Sequence, residues 1–223
     1  MANIFIIIPA YNEAASIARV IRYVSAADKS WRIVVVDDCS TDDTVKLART
    51  AGAVVLTHII NRGQGAALKT GTEYAIIKGA DIIVHFDADG QFIANEIKNI
   101  ITPIIDNKAD IVFGSRFLTQ KSNVPWFKKY VILALARLIN KIFLGVNLSD
   151  PQAGFRAMAR SAAKKLNWRQ DRMAHCSEIM HLASKNKLRA QEVPITIIYH
   201  DFGQRFSGGV RILKEFFLGI FTG

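Results

Sequence analysis

Apolar residues in the first half of the chain come in short, nearly uninterrupted runs, separated by stretches with helical spacing. Residues 4–8, 33–36, 53–56, 82–86 and 111–113 are such runs, rich in Ile and Val. Runs of this length and composition read as strands buried on both faces. Between the first two, residues 13–27 place Ile17, Val20, Ile21 and Val24 three and four apart, the spacing of one helix face. A second helix is expected to end at Thr50, capped by Ser40 or Thr41, with Asp42 and Asp43 in its first turn and Gly52 as its stop. Residues 65–78 read as a helix closed by Gly79, and residues 95–107 as a helix whose internal Pro103 leaves its second half open. A β-α-β-α order of this kind demands an α/β fold with a mostly parallel sheet and helices on both faces. Ligands in such sheets bind beyond the carboxyl ends of the strands.

Past Arg116 the pattern changes. Residues 127–144 are helix-length and apolar but carry Lys128, Lys129, Arg137 and Lys141, and residues 210–221 combine Arg211 and Lys214 with a dense aliphatic and aromatic group. Both read as amphipathic helices lying at a membrane interface, or as helices packed on the sheet or on another subunit. No repeat or linker divides the chain, so the expected organisation is one domain over residues 1–209 and a C-terminal amphipathic helix over 210–223.

Charge reinforces this division. Residues 1–115 hold 11 Lys and Arg against 13 Asp and Glu, whereas residues 116–223 hold 18 against 6. The net +10 therefore arises entirely in the second half, which suits an anionic partner. The basic residues are interleaved with long aliphatics rather than stacking aromatics, which favours an anionic membrane surface over nucleic acid. No run is long enough to span a bilayer, no signal segment opens the chain, and Cys39 and Cys176 follow no metal or redox spacing. These features lead us to expect a cytoplasmic protein, peripheral on the cytoplasmic face of a membrane.

The residues that follow each strand carry the chemistry. Asp87-Ala88-Asp89-Gly90-Gln91 leaves the fourth run. Two carboxylates at the exit of a buried strand are costly unless a cation neutralises them, and hard oxygen donors suit Mg²⁺ or Mn²⁺ together with phosphate oxygens. The same string also occurs in plain turns, so spacing alone leaves both readings open. Pro9-Ala10-Tyr11-Asn12-Glu13 leaves the first strand, with Tyr11 able to stack on a base and Glu13 able to accept from ribose or base. Asp37 and Asp38 leave the second, and either could accept an imide N–H of guanine or uracil. Residues 61–69, Asn-Arg-Gly-Gln-Gly-Ala-Ala-Leu-Lys, leave the third. Opening a helix, they could approach phosphates, although they form no known phosphate-loop signature.

Taken in order, IIIPAYNE, VVVDDCSTDDT, NRGQGAALKTG, HFDADGQ, FGSRF, LSDPQAGFRAM and SEIMHLASKNKLRAQEVPITI resemble the inverting GT-A glycosyltransferases of the dolichyl-phosphate mannose synthase type, over residues 4 to 209. The resemblance implies a single Rossmann-like GT-A domain that transfers a hexose, with GDP-mannose favoured as donor, to a polyprenyl or dolichyl phosphate with the help of Mg²⁺ or Mn²⁺. It implies a nucleotide-sugar pocket of Pro9, Tyr11, Glu13, Asp38, Asp87, Ala88 and Asp89, with Asp89 and Gln91 as metal ligands. Asp89, Arg116 and Arg205 are the implied catalytic groups. Arg116, Asp150 and Arg156 are implied on the acceptor phosphate and lipid, with Gly154, Phe155 and Glu178 in matching segments. Where the family shows Ser-Arg in the basic helix this chain has Ile132-Leu133, and Lys128 or Lys129, with Arg205, are expected to substitute on the acceptor phosphate. Gly203-Gln204-Arg205-Phe206 stands where the family shows Gly-x-Ser-Lys, and Arg205 there could close on the acceptor. Many of the family's members continue into transmembrane helices, so this chain is expected to be either a monotopic member or dependent on a membrane-protein partner.

Rival readings are a sugar-1-phosphate nucleotidyltransferase, which would carry a longer Gly-rich loop near its N-terminus, and a nucleotide-sugar-binding membrane adaptor that performs no transfer. His85 is expected to be a hydrogen-bonded core residue. His175 and His181, six apart, do not share a helix face and give no zinc site. Trp31 and Trp168 are expected in packing or at a partner surface.

Overall fold

The computed structural model describes residues 2–118, 148–150 and 154–198. Its centre is a seven-stranded sheet in the order β3-β2-β1-β4-β6-β5-β7. The strands are β1 (Ile4–Ala10), β2 (Arg32–Asp37), β3 (Val54–Thr57), β4 (Ile82–His85), β5 (Ile111–Ser115), β6 (Arg156–Ala159) and β7 (Ala190–Pro194). All neighbours pair in parallel except β6, which runs antiparallel between β4 and β5. The sheet is thus mostly parallel, as the alternation of runs demanded. β6 was not anticipated. It is four residues long, opens on a charged Arg, and is defined by long-range pairing rather than by any local pattern.

Both faces are covered, which is why the central strands read as continuous apolar runs. Helix α1 (Ile17–Ala27), α2 (Thr44–Thr50) and α4 (Ile97–Ile105) pack on one face with Ile4, Ile6 and Ile8 of β1. Helix α3 (Gln64–Ile77) and α5 (His175–Lys185) pack on the other with Phe5 and Ile7. The expected stripe of α1, Ile17, Val20, Ile21 and Val24, is its buried face. Gly52 and Gly79 close α2 and α3 at positive φ. Pro103 lies inside α4, which runs two residues past it after a 3₁₀ turn at Ala94–Glu96.

One cap differs from expectation. Helix α2 begins at Thr44, and Asp42 accepts from the Thr44 N–H at 3.0 Å. Ser40 and Thr41 instead bind the turn after β1. Ser40 Oγ accepts the Asn12 N–H at 2.8 Å, and the Thr41 N–H donates to Asn12 Oδ1 at 2.9 Å. Thr44 Oγ1 accepts the Glu13 N–H and Asp42 accepts the Ala14 N–H. The segments leaving β1 and β2 are therefore stapled to one another.

Among the described residues, no helix is long and apolar enough to cross a membrane. The helices expected at 127–144 and 210–223, with Lys128, Lys129, Arg137, Lys141 and Arg205, lie outside the described residues.

Candidate functional site

Strand order reverses at β1, whose neighbours are β2 on one side and β4 on the other. Crevices at such switch points are where open α/β sheets bind ligands. Two polar depressions adjoin there. The larger, of about 310 Å³, is lined by Pro9, Ala10, Tyr11, Glu13, Asp38, Gln64, Ala67, Asp87, Ala88 and Asp89. The smaller, of about 120 Å³, is lined by Gln64, Asp87, Gln91, Phe92, Gly114, Arg116, Asp150, Gly154, Met173, Cys176, Ile195 and Ile197. Gln64 and Asp87 belong to both and form the wall between them. All seven residues expected in the nucleotide-sugar pocket line the larger cavity.

Asp38, not Asp37, faces this cavity. Its Oδ1 accepts from His58 Nδ1 at 2.7 Å and from the Arg62 N–H at 3.0 Å, and Oδ2 accepts from the Gly63 N–H at 2.6 Å. Burial works to raise this carboxyl, but the bonds from Arg62, His58 and Gly63 outweigh it and hold the group below the usual carboxylate range. Asp38 thus stays ionised and spends most of its accepting capacity on the loop after β3. Asp37 is buried behind it, with Oδ2 accepting the Ser40 N–H.

The loop at residues 61–65 has a different use from the expected one. A Cβ on Gly65 would lie 2.3 Å from the Gln170 carbonyl oxygen, and one on Gly63 would lie 2.5 Å from that of Asp171. The Ala66 N–H donates to the Asp171 carbonyl, and Trp168 Nε1 donates to the Gly65 carbonyl. These glycines admit the 168–172 segment against the start of α3, so that helix start is occupied by protein rather than open to phosphate. Glu178 secures the same segment by accepting the Arg169 and Gln170 N–H groups. Gln64 and Ala67 line the larger cavity, with Gln64 Nε2 donating to Asp87 Oδ1 at 2.9 Å.

Asp87 is pushed up to about 6 by burial and by the charge of Asp89, against the pull of Arg156 and Gln64. Asp89 is exposed at the cavity mouth, with Oδ1 accepting the Gln91 N–H at 2.9 Å. Two carboxylates that repel each other, with Glu13 in the same cavity, are a donor set that a divalent cation would relieve. Gln91 lines the smaller cleft and Asp89 the larger, so the two expected ligands stand on either side of Asp87. Among the described residues, no group of three or more His, Cys, Asp or Glu could hold a metal by itself. An ion here would need substrate oxygens to complete its shell, which is how Mg²⁺ is ordinarily bound beside phosphates.

In the smaller cleft, Arg116 and Asp150 form a two-pronged ion pair, Nε to Oδ2 at 2.7 Å and Nη2 to Oδ1 at 2.9 Å. Asp150 is buried, while the Arg116 side chain is 36% exposed. Two acceptor-side expectations need correction. Phe155 is fully buried, stacked on Phe92 and edge-on to Phe86. Arg156 is fully buried as well and lines neither depression. Its Nε donates to His85 Nδ1 at 3.2 Å and Nη2 lies 3.6 Å from Cys176 Sγ. Both were implied by the resemblance of the LSDPQAGFRAM string, whereas residues 156–159 form a strand inside the sheet and Phe155 directly precedes it.

His85 is the core residue expected, with Nε2 bonded to Thr72 Oγ1, and burial and then Arg156 hold it well below its ordinary range. His175 is lowered to about 3 by the same two causes. His58 and Glu192 were not singled out from sequence. Each is an isolated polar residue whose partner lies far away along the chain.

Comparison with known proteins agrees with this geometry. The profile of Glycosyl transferase family 2 matches residues 5–167. The UDP-N-acetylglucosamine--dolichyl-phosphate N-acetylglucosaminyltransferase of Methanococcus voltae is 36% identical over 94% of this chain and 91% of its own length. The polyprenol monophosphomannose synthase of Mycolicibacterium smegmatis is 30% identical over 95% of this chain and 83% of its own. Glucosyl-3-phosphoglycerate synthase from Mycobacterium tuberculosis, in complex with Mn²⁺, UDP and phosphoglyceric acid, shares the fold. Its TM-score is 0.70 at 20% identity, covering 94% of this chain and 74% of that one. A sheet of this topology, acids at its switch point and a family match over most of its length make the chain a member of Glycosyl transferase family 2, and so a glycosyltransferase.

Proposed function

We propose that the chain transfers a hexose, with inversion and with a divalent metal, from a nucleoside diphosphate sugar to a polyprenyl phosphate at the cytoplasmic face of a membrane. The observation that carries this reading is the pair of adjoining pockets sharing Asp87 and Gln64 as their wall. An acid-lined cavity for the donor meets a cleft holding Arg116 for an anionic acceptor. The two relatives named above act, by their names, on a dolichyl phosphate and a polyprenol, which supports the acceptor class. GDP-mannose is the donor favoured by the sequence resemblance, and UDP-N-acetylglucosamine is the donor in the name of the Methanococcus voltae relative.

Each residue then has a task. Tyr11, half-exposed at the rim, offers a ring for the base, and the remaining accepting capacity of Asp38 suits a base N–H. Asp89 and Gln91 would hold Mg²⁺ or Mn²⁺, which when bound offsets the charge growing on the leaving diphosphate. Arg116 neutralises phosphate charge in the acceptor cleft, and Asp150 fixes its orientation. The acceptor phosphate has a second pKa of about 6, is mostly dianionic at neutral pH and needs no strong general base. One of its oxygens attacks the anomeric carbon as the bond from that carbon to the diphosphate oxygen breaks. Direct displacement inverts the centre. Lys128, Lys129 and Arg205, with the basic second half of the chain, suit lipid headgroups and the acceptor phosphate.

The test is transfer of label from GDP-mannose, UDP-N-acetylglucosamine and UDP-glucose to undecaprenyl phosphate in detergent, with and without Mn²⁺. A labelled lipid formed from one donor, only with metal, is expected, and Arg116→Ala should cut turnover far more than nucleotide binding. Absence of transfer from every donor, or pyrophosphate release from nucleoside triphosphate and sugar phosphate, would overturn the reading.

A further inference from the structure

Glu192 lines neither depression, yet it holds the acceptor side together. It stands on β7 opposite Phe113 of β5, the strand that delivers Ser115 and Arg116 to the cleft. Three donors converge on its Oε1: the Ser149 N–H at 2.7 Å, the Ser149 hydroxyl at 2.9 Å and the Asp150 N–H at 3.2 Å. Ser149 and Asp150 are buried. The Ser149 oxygen also lies 2.7 Å from the Ser115 hydroxyl, and Ser115 Oγ accepts the Phe117 N–H at 3.2 Å.

The direction of every proton in this chain follows from its end. A carboxylate only accepts, so the Ser149 hydroxyl donates to Glu192. The Ser115 hydroxyl must then donate to Ser149, and Ser115 Oγ is left to accept from Phe117. The series holds the residues on both sides of Arg116, and the Asp150 N–H ties the opposing carboxylate to the same oxygen. Arg116 is thus gripped at its main chain through Ser115 and Phe117 and at its guanidinium through Asp150. Among the described residues, Glu192 is bonded to both branches, to Ser149 and to the Asp150 N–H.

We propose that Glu192 is a positioning residue for transfer, which fixes the Arg116–Asp150 pair at the acceptor cleft through Ser149. The inference rests on the phosphate role given to Arg116 above. Bonds to an ionised acceptor are about twice as strong as neutral ones, and displacement of a catalytic group by about 1 Å can cost about 100-fold in rate.

The experiment is a double-mutant cycle on the full chain, following transfer to undecaprenyl phosphate with the three donors named above, beside nucleotide affinity and thermal unfolding. Glu192→Gln keeps an acceptor oxygen without the charge and should lower kcat about threefold, whereas Glu192→Ala should lower it about 30-fold. Nucleotide affinity should stay within about twofold in both, because Glu192 does not line the donor cavity. In an Arg116→Ala background, Glu192→Ala should add less than about twofold, since the group it positions is gone. Multiplication of the two losses would overturn the inference, because Glu192 would then act on the fold and not through Arg116. Retention of full kcat by Glu192→Ala would do the same. If Arg116→Ala alone leaves kcat unchanged, or the parent transfers nothing, it is the functional reading that falls, and this inference with it. Should Glu192→Ala fail to fold, Glu192→Gln and Ser149→Ala complete the cycle with the same expected non-additivity.

Discussion

Replacing Asp87 with Asn should stabilise the ligand-free protein while removing its activity. Asn preserves the oxygen that accepts from Gln64 Nε2 and deletes a charge that the cleft disfavours. The carboxyl is raised from 3.8 to about 6 by burial and by Asp89. Two pH units correspond to about 3 kcal/mol, and solvent reaching the half-buried group screens this to about 2 kcal/mol. The sign follows from proton counts. Below pH 4 the carboxyl is protonated in both folded and unfolded chains, and the substitution changes little. From pH 4 to 6 the unfolded chain ionises first, so the native wild type loses stability relative to the variant. Above pH 6 the difference is complete. Urea or thermal unfolding of both proteins without nucleotide or metal, from pH 4 to 8, is the assay. A gain of about 2 kcal/mol at pH 7.5, or about 4–8 °C for a domain of this size, should shrink toward zero at pH 4. A variant no more stable than wild type at pH 7.5, or a gain undiminished at pH 4, would refute the view that Asp87 is kept at a cost in stability.

Two further outcomes test other parts of the site. Asp89→Ala should abolish transfer and the Mn²⁺-dependent rise in melting temperature with nucleotide sugar, and leave circular dichroism unchanged, since Asp89 is exposed and among the described residues bonds only the Gln91 N–H. Gly65→Ala places a methyl group 2.3 Å from the Gln170 carbonyl oxygen and should destabilise the fold by about 1–3 kcal/mol in urea. A phosphate-loop role would instead weaken nucleotide binding at unchanged stability.

What could be read from sequence was whatever a local pattern encodes. Strands buried on both faces are apolar at every position, so β1 and β4 were evident, and α1 was evident from its stripe of four buried residues. The larger cavity was legible because each of its strands ends in the residues that line it, and parallel pairing sends all those ends to one edge. The smaller cleft was less so. Its Gly114 and Arg116 come from the end of β5, its Asp150 from residues 148–150 and its Ile195 and Ile197 from the chain after β7, brought together by pairings dozens of residues apart. Gly63 and Gly65 stayed open to more than one reading for a related reason. A glycine required for close approach to a distant backbone looks the same in sequence as one required by a phosphate.

The misplacement of Arg156 exposes how the two pockets are supported. Register sets Arg156 opposite His85, so the antiparallel insertion of β6 delivers a guanidinium into the core, within electrostatic reach of Asp87. Its described partners, His85 Nδ1 and Cys176 Sγ, are not carboxylates, and Nη1 has no hydrogen-bond partner among the described residues. A buried cation hydrogen-bonded by no carboxylate among the described residues carries a desolvation cost of several kcal/mol, and an apolar residue would fill the same place without that cost. The charge nevertheless reaches Asp87, whose carboxyl it draws downward, and it helps hold both His85 and His175 neutral. Neutral acceptors hold the guanidinium in place while leaving its charge undiminished. Its field therefore acts on the wall shared by the two depressions, where Asp87 must coexist with Asp89. The expense in the core and the expense at Asp87 are thus two sides of one arrangement, in which the sheet carries a positive charge that helps two acids stand side by side.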